Sequence, residues 1–65
     1  MVRGFYSQLS KLLKANGCTF VRAGKGDHEI WHSPITNQNI AVDRGVMSRH
    51  TANAVLKQAG IKLRL

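Results

Sequence analysis

The spacing of apolar residues changes period twice along the chain. Between Phe5 and Asn16 they fall at Phe5, Leu9, Leu12 and Leu13, intervals of four, three and one that draw a single stripe on a helix. Lys11 and Lys14 lie off the stripe, and Asn16-Gly17 offers the left-handed residue that closes such a helix, so the first helix is expected to end near residue 16. Cys18 to Ala23 is short and rich in β-formers, and the glycine turn Gly24-Lys25-Gly26-Asp27 predicts a hairpin. His28 then stands at the mouth of a return strand taking in Glu29 to Ser33. Pro34 and the polar run Thr36-Asn37-Gln38-Asn39 predict a second turn, after which Ile40-Ala41-Val42 is a third strand ending at Asp43-Arg44-Gly45. Ser48 suits an N-cap, and Ala52, Val55, Leu56 and Ala59 form a helical stripe ending at Gly60, which predicts a second helix over 49–59.

The expected architecture is α+β, in the order α-β-β-β-α. A three-stranded antiparallel meander carries both helices on one face and leaves the other to solvent or a partner. A chain of 65 residues leaves no room for a second domain, so residues 1–65 are expected to form one. The single cysteine, Cys18, has no partner within the chain, and is expected as a buried thiol in a reducing compartment, the cytoplasm. No apolar run resembles a signal peptide or a membrane span of about 18 residues.

Charge narrows the partner. Ten Lys and Arg against three acids give +7 and a pI near 10.6, which predicts a polyanionic or acidic ligand. The basic residues are distributed from Arg3 to Arg64, so no basic tail is implied.

Two kinds of site share the stretch from Gly24 to Pro34. His28-Glu29-Ile30-Trp31-His32 matches H-E-x-x-H, which on a helix places two zinc ligands and a general base together. Glycines before it and Pro34 after it confine any helix to about two turns, too short for that site. On a strand the two histidines are about 13 Å apart and cannot share one ion, whether or not His50, Asp43 or Cys18 supplied a third ligand. Neither metal nor cofactor is expected.

The strand reading gives His28 cations instead: Lys25 in the turn before it and Arg22 on the strand that pairs with it. RNA carries its own nucleophile in the 2′-hydroxyl, so a protein that cleaves it has only to move protons and stabilise charge on phosphorus. A histidine, with a reference pKa of about 6.5, does the first near neutral pH. His28 is therefore the candidate catalytic residue, with Lys25, Arg22, Arg44 and Arg49 as candidate RNA contacts. The alternative is an RNA-binding module in which His28 touches phosphate and performs no chemistry. His32 reads as a solvated strand residue and His50 as part of the first turn of the second helix. Ile30 and Trp31 alternate, so one is buried and the other free to meet a base or a partner.

Leu12-Leu13-Lys14-Ala15-Asn16-Gly17, Phe20-Val21-Arg22, Lys25-Gly26-Asp27-His28 and Val55-Leu56-Lys57-Gln58-Ala59-Gly60-Ile61 together resemble the HicA toxins of HicA/HicB toxin-antitoxin modules, in order and at matching length. The resemblance implies a fold similar to the double-stranded RNA-binding domain and cleavage of mRNA without a metal. It also implies a toxin that is a monomer when alone and is held inactive by a HicB-type antitoxin. The family's catalytic histidine maps onto His28. The chain departs from the family pattern at Asp27, where a serine is usual, and at Asp43-Arg44-Gly45, where many relatives carry a proline and a further histidine.

Overall fold

A computed structural model describes residues 4–65; Arg3 and the opening residues, read for charge and for a leader, lie outside them. Five elements follow one another as α1 (Tyr6–Ala15), β1 (Thr19–Ala23), β2 (His28–Ser33), β3 (Gln38–Asp43) and α2 (Arg49–Gln58). The strands form one antiparallel sheet in the order β1-β2-β3, so the expected α-β-β-β-α meander is the one present.

Both helices end in the same way. Gly17 at φ +87° lets its own N–H reach the Lys14 carbonyl at 3.1 Å while the Cys18 N–H reaches that of Leu13 at 2.9 Å. Gly60 at φ +79° repeats this with Lys57 at 3.0 Å and with Ile61 donating to Leu56 at 2.9 Å. These paired bonds satisfy carbonyls that a helix end leaves open, and only a residue at ease with positive φ permits them. Each is followed by a buried apolar residue, Cys18 or Ile61, that locks the exit into the core. At the other ends, Ser48 caps α2 by accepting from the Thr51 N–H at 3.3 Å, whereas α1 has no side-chain cap and is anchored by the Phe5 N–H to the Val46 carbonyl at 2.9 Å.

Two features of the sheet differ from expectation. β3 starts at Gln38 rather than Ile40, because Asn37 takes a left-handed φ of 55° and turns the chain early, letting Gln38 pair with Ser33 and Asn39 with His32. The polarity of Gln38 and Asn39 disguised two strand residues on an exposed edge. In β1 the register shifts between Phe20 and Arg22, a bulge at Val21. Phe20 is paired with Trp31, but Arg22 is paired with Ile30, so the extra residue carries Arg22 to the opposite face from Phe20.

That face assignment organises the molecule. Trp31, Ser33, Ile40 and Val42 are buried against Leu9 and Leu13 of α1 and Ala52, Val55 and Leu56 of α2. The Tyr6 hydroxyl donates to Glu29 at 2.7 Å and the Ser33 hydroxyl to the Ala59 carbonyl at 2.6 Å, tying each helix to the same side of β2. Trp31 is therefore the inward residue of the Ile30–Trp31 pair, with Phe20 packed edge-on to it at 6.1 Å between ring centroids. It is not available to stack on a base. No helix among the described residues is long and apolar enough to cross a membrane.

Candidate active site

Alternation from Trp31 places His28, Ile30 and His32 on the sheet face that carries no helix, joined there by their partners Asp43, Ala41 and Asn39 on β3 and by Arg22 and Thr19 on β1. His28 is exposed at the first position of β2. The turn before it is closed by the Gly24 N–H donating to the His28 carbonyl at 2.7 Å and the His28 N–H donating to the Lys25 carbonyl at 3.2 Å. The same Lys25 carbonyl lies 3.3 Å from His28 Nδ1. A carbonyl can only accept, so this contact selects the tautomer protonated at Nδ1 and leaves Nε2 free to take a proton.

The surroundings of the imidazole come from three elements. Lys25 belongs to the turn itself. Arg22 faces Ile30, which makes it a diagonal neighbour of His28, at the separation of about 7–8 Å that long side chains span. Asp43, not foreseen as a neighbour, is the residue directly opposite His28 across the β2–β3 pair. Its carboxylate also accepts from the Gly45 N–H at 2.8 Å, which holds it in place. The length of the turn from Pro34 to Asn37 sets this register, and that length was the one signal in the sequence that could have revealed it.

Asp27 is tied to Arg44 twice. The Arg44 N–H donates to the Asp27 carbonyl at 2.9 Å, and the two side chains form an exposed ion pair at 3.5 Å. Arg44 thus comes to the His28 end with a carboxylate already beside it. Arg49 is not part of this cluster; its guanidinium lies over the Phe5 ring, 5.7 Å from the centroid, at the start of α2. An exposed pair contributes little to stability, so Asp27→Asn is expected to leave the fold intact while releasing Arg44 and removing one negative charge from this end of the molecule. RNA should bind roughly two- to fivefold tighter at low salt, the size of one exposed charge interaction. Titration of RNA onto the variant checks this, and unchanged or weaker binding would show that Asp27 does not compete with phosphate.

The residues of the H-E-x-x-H match are dispersed. His32 lies four residues along the strand from His28, about 13 Å away at strand spacing, with its Nδ1 2.9 Å from Asn39 Oδ1. Glu29 points to the helix side, where its Oε1 accepts both from Tyr6 and from Trp31 Nε1 at 3.0 Å. The arrangement cannot hold one ion between the two histidines. Glu29 is a structural acceptor that orients Trp31 and fastens α1.

This contact also marks Tyr6. Partial burial raises its pKa from 10.0 to about 12, the hydrogen bond and negative charge of Glu29 push the same way, and Arg44 opposes them. A phenol whose folded pKa is raised contributes stability that is complete below pH 10 and is lost as the pH climbs through 12. The stability difference between wild type and Tyr6→Phe is therefore expected to shrink across that window. Denaturant unfolding at a series of alkaline pH values measures it, and a constant difference would contradict the assignment.

The buried Cys18 has no part in the site. His50 lies in the first turn of α2, as the sequence suggested.

Comparison with known proteins adds a family. Searches of curated proteins and of solved structures return no match. The family model described as the HicA toxin of bacterial toxin-antitoxin modules matches residues 6–61, which span all five elements and the whole of the His28 end. The chain belongs to the HicA toxin family.

Proposed function

We propose that this toxin is an mRNA endoribonuclease that uses His28 for proton transfer. The observation that carries the reading is an exposed imidazole at the first position of β2, on the sheet face without helices, with Lys25 in the turn before it and Arg22 diagonally across the β1–β2 pair. A phosphodiester set down there has its oxygens between two cations and its 2′-hydroxyl toward the imidazole. Nε2 takes the 2′-hydroxyl proton as the 2′-oxygen attacks phosphorus; the bond to the 5′-oxygen of the next nucleotide breaks, and a proton passes to that leaving oxygen. Cleavage then gives a 2′,3′-cyclic phosphate and a 5′-hydroxyl end. Lys25 and Arg22 stabilise the negative charge that builds on phosphorus, and proton transfer from the histidine contributes about 10²–10⁴ in rate. Asp43 pairs with His28 across the β2–β3 register, its carboxylate held by the Gly45 N–H.

In this reading no metal is required, since the attacking group belongs to the RNA. The inhibitor is an antitoxin of the HicB type, whose binding is favoured by acidic surface against a chain of charge +7. Exposure of His28, its ring bonded to no side chain among the described residues, also suits a module that binds RNA without cutting it.

Expression in bacteria separates these readings. The toxin alone is expected to arrest growth and fragment mRNA, and the antitoxin encoded with it to restore both. Growth arrest with intact mRNA would favour the binding module, and no effect on growth would count against the toxin reading itself.

A further inference from the structure

The charge of the chain is divided unevenly over its surface. Its three acidic residues, Asp27, Glu29 and Asp43, all lie at the His28 end, in the turn before β2, at the start of β2 and at the end of β3. They stand among Arg22, Lys25 and Arg44, so that end holds as many carboxylates as cations. The positive excess sits elsewhere among the described residues, on Lys11 and Lys14 of α1, Arg49 and Lys57 of α2, and Lys62 and Arg64 after α2. An end that is nearly neutral does little to draw in a polyanion, whereas an acid-free basic surface does.

Part of that surface is shaped. An open cleft of about 800 Å³ runs between α2 and the segment that follows it, lined by His50, Ala54 and Lys57 on the helix and Lys62, Leu63 and Arg64 opposite. The segment is held at both ends. Ile61 is buried beside the end of α2, and Leu65 is bound through its N–H and carbonyl to the Asn53 amide at 2.7 and 3.3 Å. Lys62 and Arg64 therefore project from a fixed backbone rather than a loose tail. No acidic residue lines the cleft. At its His50 end the cleft reaches the first turn of α2, the helix that follows the loop after β3.

We infer that this cleft is a second RNA contact, which binds the strand flanking the phosphodiester held at His28 and supplies the affinity that the nearly neutral end lacks. The inference rests on the ribonuclease reading. Long cations without acids are the signature of a phosphate track, whereas the cores of protein interfaces are depleted in lysine and built on Tyr, Trp and Phe anchors, none of which lines the cleft. For the same reason the contact is with phosphates and not with stacked bases, so it tolerates any sequence.

The test compares wild type with the variant Lys57→Gln, Lys62→Gln, Arg64→Gln, whose three positions are exposed, with circular dichroism to verify the fold. The probes are a dinucleotide and a single strand of about 16 nucleotides, at the upper range of what a small domain engages. Affinity for the long strand should fall about 10- to 100-fold at low salt, and the slope of log affinity against log salt should flatten by about 2, since each lost phosphate contact on a single strand removes about 0.7. Dinucleotide cleavage should be unchanged. Unaltered affinity for the long strand would overturn the inference, as would an equal loss of dinucleotide cleavage. If the variant kept its RNA affinity but no longer captured the antitoxin, the cleft would belong to the protein partner and the inference would fail. Should wild type cleave neither probe, the ribonuclease reading fails by itself, and the binding comparison still decides the role of the cleft.

Discussion

His28→Ala is expected to remove RNA cleavage, by about 10²–10⁴ in rate, while leaving the fold and most of the RNA affinity in place. The side chain is exposed and its polar contact among the described residues is a 3.3 Å approach to the Lys25 carbonyl, so truncation leaves no cavity and strands no buried group. The cost in stability should stay within about 0.5 kcal/mol, as for other surface positions. Lys25 and Arg22, the proposed phosphate contacts, are untouched by the substitution. In cells the variant should be non-toxic and its mRNA intact. Single-turnover cleavage beside equilibrium binding measures both halves of the prediction. Cleavage that survived the substitution would end the claim for His28, and loss of binding with loss of cleavage would recast the residue as a phosphate contact.

Trp31→Ala is expected to have the opposite character, destroying the protein rather than its chemistry. Trp31 is 2% exposed at the centre of the sheet, with Phe20 on its edge, Ile40 beside it on β3 and its Nε1–H donated to Glu29. Emptying such a site costs about 3–5 kcal/mol. At a typical 0.05–0.15 kcal/mol per residue, a chain of this size has roughly 3–10 kcal/mol in total. The variant should therefore be largely unfolded at 37 °C or close to it, and inactive for that reason. Trp31→Phe, which keeps most of the ring and loses the bond to Glu29, should remain folded with about 1–2 kcal/mol less stability. Denaturant unfolding followed by circular dichroism distinguishes the two, and a fully stable Trp31→Ala would mean that the sheet is not built around this side chain.

The two substitutions show which parts of the molecule the sequence makes legible. The helices are plain from the stripes of Leu9, Leu13, Val55 and Leu56, and their ends from Gly17 and Gly60, because helix packing and helix closure are both local in sequence. The position of His28 at the start of β2 follows from the glycine turn before it. The partners of His28 are not legible in this way. Asp43 reaches it through a register fixed four to six residues away at the turn after Ser33, and Arg22 through a bulge at Val21 that no local residue announces. Nor did alternation decide between Ile30 and Trp31, since both are apolar. What decides is that the indole N–H has an acceptor on the helix side, in Glu29. That same glutamate made the strand resemble a zinc motif, and its bonds to Tyr6 and Trp31 show it facing away from both histidines. Asp27 finds its counterpart in Arg44, 17 residues further along the chain and brought to it by the β2–β3 pairing.

In the proposed reaction the RNA supplies the nucleophile and the protein moves the proton. The most direct measurement takes an RNA cut by the purified toxin in the presence of a chelator, identifies its ends, and repeats the reaction on the same RNA with the single 2′-hydroxyl at the cut replaced by hydrogen. The expected result is 2′,3′-cyclic phosphate and 5′-hydroxyl ends on the first RNA and no cleavage at that position of the second. Ends bearing a 5′-phosphate, or undiminished cutting of the 2′-deoxy position, would contradict it.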